Sequence, residues 1–344
     1  MRTSHSLTQL ILALAALLCL TAWSFAQVPT IGASGAPLNQ IEVSDQKPGS
    51  ILVFPYYISN AQTKTDTRVT LSNLGAANVG VHLFFLSGSN CQAADQFVCL
   101  TKGASISFKM LELDPETIGY IVAVAVDAMG QAISWNALIG NAFVNAGNIV
   151  GNYGAEALAA IGRDPGVLMN GFNPVGGTQT LRLDGGSGGG GGYDRPADQF
   201  AVELQSPNDA TGQTIVHVSL CGDIANAAVT PVSQNGTGLV LRGDEKQGSF
   251  LRFISDNCQS INAINTNTPR VPTGLGLFLP KGSIGTLIYA TNVGSVGLLI
   301  TPRNNAWSGI RTLHKTRTVK SEFIVPVFIP ICGVALPVGI SIPD

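Results

Sequence analysis

The run Gly185-Gly186-Ser187-Gly188-Gly189 has the form G-x-S-x-G, the spacing that exposes a serine nucleophile on a sharp strand-to-helix turn. That chemistry needs a strand before the serine and a helix after it. Here the serine stands inside GGSGGGGG with neither pattern beside it, so the stretch reads as a flexible segment. It also lacks the Gly-Lys-Ser/Thr ending with which a phosphate loop holds a triphosphate and Mg²⁺. Beyond the leader the histidines are His82, His217 and His314. A triad needs one of them to meet a nucleophile and a carboxylate in space, and no spacing suggests this. His82 and His217 fall opposite the main apolar row of alternating stretches, which reads as the surface of a strand. Asp194, Asp198, Asp209 and Asp223 are scattered among loops, without the D-x-D-x-D spacing that converges oxygens on calcium. No C-x-x-C occurs and no Cys/His cluster has zinc spacing. No catalytic, cofactor-binding or metal-ligating residue is assigned, and the chain reads as non-catalytic.

Binding chemistry has more to draw on. Trp135 and Trp307 are the tryptophans outside the leader, and each follows the last strand of a repeated block. An exposed indole stacks on a sugar ring; a buried one closes the end of a sandwich core. The stretch 303–320 carries Arg303, Arg311, Lys315, Arg317 and Lys320 with no acid, and reads as a solvated face or a contact for an anionic surface polymer. Asn235-Gly236-Thr237 fits the N-glycosylation sequon, which is also a common turn sequence. Outside the leader stand Cys91, Cys99, Cys221, Cys258 and Cys332, an odd number, so at least one thiol is free or pairs between chains. Cys91 and Cys99 are expected to form a local disulfide within one hairpin or corner, leaving Cys258 for Cys221 or Cys332.

The elements that would position these residues are strands. Charged residues make up 12% of the chain, against roughly 25% in an average soluble protein. Forty glycines, with many Thr, Asn and Ser, take their place. A net charge of −2 offers no basic field for nucleic acid. One block occurs twice, in residues 79–126 and 250–299. VGVHLFFLSGSNCQ, SISFKM and GYIVAVAV are echoed by FLRFISDNCQ, TGLGLFLPKG and GTLIYATN. The interval from Cys91 to Gly119 matches that from Cys258 to Gly285 to within one position. Period-two alternation appears around Val69 and Leu71, and again around Val216 and Val218. The stretch 120–126 is apolar throughout and predicts a central strand. Pro55, inside ILVFPYYI, predicts an edge or a bulge. The one helix expected is 153–163, rich in Ala and Leu and stopped by Gly162 and Pro165.

These patterns predict an all-β fold of two tandem β-sandwich units with one short helix and a Gly-rich connecting segment. The boundaries are a signal peptide at 1–26, an extended arm at 27–47, unit 1 at 48–170, a linker or loop at 171–198, and unit 2 at 199–344. The leader has a weakly basic start at Arg2 and His5, an uncharged apolar run over 10–22, and small residues at Ser24 and Ala26, with cleavage expected after Ala26. Cys19 is preceded by Leu18, not by the small residue that lipid attachment needs. The segment 323–343 is uncharged, but Pro326, Pro330 and Pro337 argue against a membrane helix. Its part from Phe323 to Ile331 is expected to be the final strand of unit 2, or a strand donated to a neighbouring molecule.

KPGSILVFPYY (47–57) and DPETIGYIVAVAVD (114–127) resemble exported bacterial proteins of unassigned function with Ig-like β-sandwich character. The resemblance implies a secreted, periplasmic or cell-surface protein and supplies no catalytic residues. The expected function is that of an exported structural or adhesive protein of the envelope or matrix. A carbohydrate-binding module and a fibre subunit assembled by strand exchange are the alternatives. The partners expected are a surface polymer, a protein or a second copy, with no nucleic acid and no stable membrane span.

Overall fold

A computed structural model describes residues 43–188, 191–251, 257–305 and 307–330. The leader, most of the arm and the last fourteen residues, with Cys19 and Cys332, lie outside the described residues.

The chain is all-β. The first nine strands are β1 (Ile51–Ile58), β2 (Asp66–Asn73), β3 (Val79–Ser87), β4 (Ala93–Leu100), β5 (Ser105–Lys109), β6 (Ile118–Val126), β7 (Leu138–Ala146), β8 (Ile149–Gly154) and β9 (Glu156–Leu158). They make two antiparallel sheets, ordered β4-β3-β6-β1-β9 and β5-β2-β7-β8. The strands β1, β3 and β6 are apolar almost without a break because both of their faces are covered. On one face Phe54 reaches Gly140 of β7. On the other, Val53, Phe84, Leu86, Val122 and Val124 join a core that also holds Leu181, Leu183, Phe323 and Val325. The prediction of β6 as a central strand agrees with its position between β3 and β1. Pro55 sits in an interior strand, and the β1–β6 register shifts between Phe54 and Tyr57. A residue without an N–H is accommodated at such a bulge.

Next come β10 (Ala160–Ile161), β11 (Phe172–Asn173), β12 (Thr178–Leu183) and β13 (Gly192–Tyr193). They are followed by β14 (Ala197–Gln205), β15 (Thr214–Ser219), β16 (Gly222–Asp223), β17 (Ala228–Val229), β18 (Thr237–Arg242), β19 (Gln247–Leu251) and β20 (Gln259–Ala263). The last four are β21 (Ile284–Thr301), β22 (Gly309–Thr312), β23 (His314–Thr318) and β24 (Ser321–Pro326). An eight-stranded sheet follows the path β19-β18-β21-β14-β23, with β15, β20 and β22 also paired into it. A smaller sheet, β11-β12-β24-β16-β17, joins the middle of the chain to its end. In it β24 runs antiparallel to β12, from Thr178↔Pro326 to Leu183↔Ser321. Residues 323–326, the start of the 323–343 segment, are therefore part of a strand paired within its own chain.

Both repeat copies contain a single helical turn shortly before their glycine-led strand. These are α1 (Met110–Leu113) before Gly119 of β6, and α2 (Leu275–Phe278) before Gly285 of β21.

Three expectations are corrected. The helix at 153–163 is absent: β8, β9 and β10 occupy that stretch. β9 pairs with β1 through Ile51↔Leu158 and Val53↔Glu156. The helix preference of Ala and Leu, a few tenths of a kcal/mol per residue, yields to strand pairing. The segment 171–198 is not a plain linker, since it carries β11, β12, β13 and the start of β14, and buries Leu181, Leu183 and Tyr193. Finally, Cys91 does not pair with Cys99. The β3–β4 register sets Leu86 opposite Ala93 and Gly80 opposite Cys99. Cys91 lies in the connecting turn, and Cys99 is at the far end of β4, roughly 20 Å further along at ~3.3 Å per residue. Cys91 is bonded instead to Cys258, with Cα atoms 5.8 Å apart. The two Asn-Cys-Gln triplets of the repeat, 90–92 and 257–259, are thereby joined.

Candidate functional site

The candidate site is a cleft of about 210 Å³ at one end of the large sheet. Strand alternation sets two of its walls. Phe200, Val202 and Leu204 of β14 point into the core, so Glu203 and Gln205 point outward. β14 pairs with β23 along one edge, which carries Glu203 to Arg311 of the preceding β22. An Arg311 Nη2–H donates to the Glu203 carbonyl at 2.5 Å, while Nη1 stands 3.5 Å from the Glu203 carboxylate. Both side chains are half exposed and keep hydrogen-bonding capacity for a ligand.

The third wall is Trp307, 60% exposed on the turn between β21 and β22. That turn is anchored from both sides. Asn305, nearly buried, accepts from the Thr211 N–H at 3.1 Å and donates to the Thr211 carbonyl at 2.9 Å. The Gln205 side chain donates to the Trp307 carbonyl at 3.0 Å. Gln213 braces the floor: its amide accepts from the Gln205 N–H at 3.0 Å and donates to the Gln205 carbonyl at 2.9 Å. An exposed indole is thus held beside a carboxylate and a guanidinium. Such a site presents an apolar plate for the flat face of a ring, with charged donors and acceptors at its margin.

The other candidates are placed elsewhere. Trp135 is 8% exposed, and its indole N–H donates to Asn73 at 3.0 Å. It closes a core and offers no stacking face. His82 and His217 are not on a strand surface; both are buried, because the strands carrying them are covered on both sides. His82 Nε2 lies 2.9 Å from Asp95 with its ring against Phe84 and Phe97. Burial lowers its pKa, and the Asp95 carboxylate opposes that shift without overcoming it. His217 Nε2 lies 2.7 Å from the Tyr289 hydroxyl, and burial pushes its pKa down to about 3. His314 is exposed on β23.

Ser187 stands in a turn after β12, where its hydroxyl donates to the Asp184 carbonyl at 3.0 Å. It lacks the strand-to-helix setting of a nucleophile elbow. The four loop aspartates are tied into separate places. Asp194 meets Lys47 at 2.6 Å, Asp198 meets Arg317 at 2.9 Å, Asp209 accepts from the Gly282 N–H, and Asp223 caps its own turn. Among the described residues, no group of three or more His, Cys, Asp or Glu could hold a metal ion. No helix among them is long and apolar enough to cross a membrane.

The basic stretch is also more than a solvated face. Lys315 reaches the buried Glu156 carboxylate at 2.8 Å, and Arg317 and Arg311 face Asp198 and Glu203. The anions come from parts of the chain more than a hundred positions away, so the local sequence shows cations alone. For the same reason Glu203 and Gln205 carried no signal as site residues, and Arg311 stood out only as one of the basic residues. Asn235 of the sequon is exposed in the turn before β18.

No protein-family model matches the chain, and no curated protein matches it either. Among solved structures, the chain is similar to the protein in "Crystal Structure of Thermotoga maritima 1070", at 13% identity over 32% of this chain and 93% of that one, with a TM-score of 0.25. It is also similar to the apo form of the Pleurotus ostreatus lectin, at 10% identity over 84% and 89% of the two chains, with a TM-score of 0.12. At these scores neither likeness carries a fold or a function to this chain.

Proposed function

We propose that this is an exported, non-catalytic adhesive protein of a bacterial envelope or matrix, and that it binds carbohydrate in the Trp307 cleft. In this reading the leader is cleaved after Ala26 and the body is a pair of tandem Ig-like sandwich units. The distribution of strands supports the tandem arrangement. β1 to β9 supply both sheets of the first half, and β14, β15 and β18 to β23 supply the large sheet of the second. The observation that carries the binding role is the indole of Trp307, exposed on an anchored turn between Glu203 and Arg311.

A glycan array with wild-type protein, Trp307→Ala and Trp135→Phe tests it. The expected result is saturable binding that falls about tenfold or more in Trp307→Ala, equivalent to about 1.4 kcal/mol, and persists in Trp135→Phe. Binding unchanged in Trp307→Ala would refute the cleft as the contact. The non-catalytic reading predicts no turnover on a panel of esters, peptides and glycosides.

A second reading, a fibre subunit assembled by strand exchange, draws on the same β12–β24 register. A β24 supplied by a neighbour would occupy that place. Deleting residues 321–344 separates the two arrangements. Aggregation of the truncated chain favours the strand held within one molecule; a folded monomer that no longer polymerises favours exchange.

A further inference from the structure

A second groove, of about 440 Å³, shares no residue with the Trp307 cleft. One wall is Ser87 and Gly88, where β3 turns toward β4. The second is Glu116 and Ile118, at the entry to β6, and the third is Gln259 and Ile261 of β20. The Cys91–Cys258 bond ties the first wall to the third, because Cys91 lies in the β3–β4 turn and Cys258 directly precedes β20.

Glu116 is the one charged residue among the described residues lining this groove. Its φ is +58°, a left-handed backbone uncommon outside glycine. Ser59 holds the turn in place: its N–H donates to the Thr117 carbonyl at 2.9 Å and its hydroxyl to the Asp114 carbonyl at 2.5 Å. The Glu116 carboxylate accepts from the Asn60 side-chain amide at 2.6 Å and from the Ala61 N–H at 2.8 Å. Both donors are neutral, and the carboxylate makes no ion pair among the described residues, so it is positioned with its charge uncompensated. Each of its oxygens can accept a further bond. Gln259 is 2% exposed. Its Nε2 gives its N–H groups to two carbonyls, those of Pro55 and Gly119, which turns Oε1 the other way. Oε1 is buried with no donor among the described residues, and a Cβ at Gly88 would stand 2.1 Å from it. The negative end of that amide dipole therefore lies against the Gly88 wall. Ile118 and Ile261, each nearly half exposed, give the other walls apolar surface.

We propose that this groove binds a primary alkylammonium group, with the ammonium on the Glu116 carboxylate and the methylenes against Ile118 and Ile261. An ammonium carries three donors, no acceptor and a positive charge, which answers a fixed carboxylate and an amide dipole turned negative end toward the groove wall. Its alkyl stem covers apolar surface while the charged head stays at the mouth. An anion would be repelled by Glu116, and a neutral hydroxyl compound would leave that charge unpaired. The same chemistry is carried by a free diamine and by the lysine side chain of a partner polypeptide.

The test is titration calorimetry on the full chain with three probes: diaminobutane, a blocked Gly-Lys-Gly peptide, and butanediol as the neutral match. Saturable binding of at least one amine is expected, with none of butanediol, and it weakens as salt is raised. Binding of diaminobutane alone marks a free amine as the source; binding of the peptide alone marks a lysine of a partner chain. Glu116→Gln is expected to weaken binding by about tenfold or more. Ile261→Lys changes the opposite wall at an exposed position and sets a tethered ammonium in the groove, so it is expected to block both amines. Glu112→Gln, which removes an exposed carboxylate on α1 outside the groove, is expected to change nothing. The proposal is overturned if neither amine binds, if butanediol binds as well as they do, or if Glu112→Gln weakens binding as much as Glu116→Gln. Undiminished binding in folded Glu116→Gln or Ile261→Lys also overturns it.

Discussion

His217 makes the stability of this protein depend on pH in a direction that can be worked out from its surroundings. The ring lies on β15 between Ser260 of β20 and Gly297 of β21. Phe200 stands edge-on at 4.6 Å, and Tyr289 supplies the hydroxyl beside Nε2. Nδ1 is buried without a hydrogen-bond partner among the described residues. No carboxylate offsets the burial, and the pKa falls from 6.5 to about 3. Because the folded pKa is depressed, the stabilisation is fully present above pH 6.5 and is lost as pH falls toward 3, while the unfolded chain takes up a proton that the folded chain refuses. The slope is about 1.4 kcal/mol per pH unit, so moving from pH 7 to pH 5 costs about 2 kcal/mol at this residue. Urea unfolding with disulfides intact, followed by tryptophan fluorescence, measures it in wild type and in His217→Gln. His82, whose pKa is also lowered, and Glu156, whose pKa burial raises, contribute equally to both proteins and cancel in the difference. The loss between pH 7 and pH 5 is expected to be about 2 kcal/mol smaller in the variant. Equal losses in the two proteins would refute a neutral buried His217.

Lys315→Met strands the Glu156 carboxylate in the interior and is expected to destabilise by about 3–5 kcal/mol; Lys315→Met with Glu156→Leu recovers most of that in thermal or urea unfolding. Cys91→Ser opens a link across 167 positions, worth about 5 kcal/mol in the chain-entropy model, and non-reducing peptide mapping should show the partner Cys258 newly alkylated. Trp135→Ala removes a buried indole and one of the two donors to the Asn73 side-chain oxygen, leaving the Gly75 N–H, for about 3–5 kcal/mol, whereas Trp307→Ala should leave the urea midpoint within error.

The legible parts of the fold were those that local pattern encodes. β2 shows Val69 and Leu71 buried in alternation, as its sequence repeats with period two. β6 reads as central because nothing polar interrupts it. The repeat surfaced twice, in the two helical turns and in the joined Asn-Cys-Gln triplets. What stayed hidden was decided by long-range pairing. Ala155 to Ala160 prefer helix in isolation, but β1 offers them an open edge, and that edge lies a hundred positions upstream. His82 and His217 looked like surface positions because alternation predicts one wet face, and these strands have none. Trp135 and Trp307 occupy equivalent places in their copies, yet one closes a core and the other stands open. Composition cannot separate them, because the difference lies in what each turn packs against.

The bulge at Pro55 has a consequence for how the protein is made. The Gln259 side-chain amide donates to the Pro55 and Gly119 carbonyls, both at 2.9 Å. The acceptors lie within the first 120 residues of the chain, and the donor stands 204 and 140 positions beyond them. A ribosome delivers Pro55 of β1 204 residues and Gly119 of β6 140 residues before the group that completes them, so during synthesis the sheet waits with two polar atoms unsatisfied. A fragment ending before Gln259 would carry that defect permanently, with Cys91 lacking its partner beside it. The molecule therefore contains its own check on completeness: the first sheet reaches its final hydrogen bonding only in a chain that has been synthesised past Gln259.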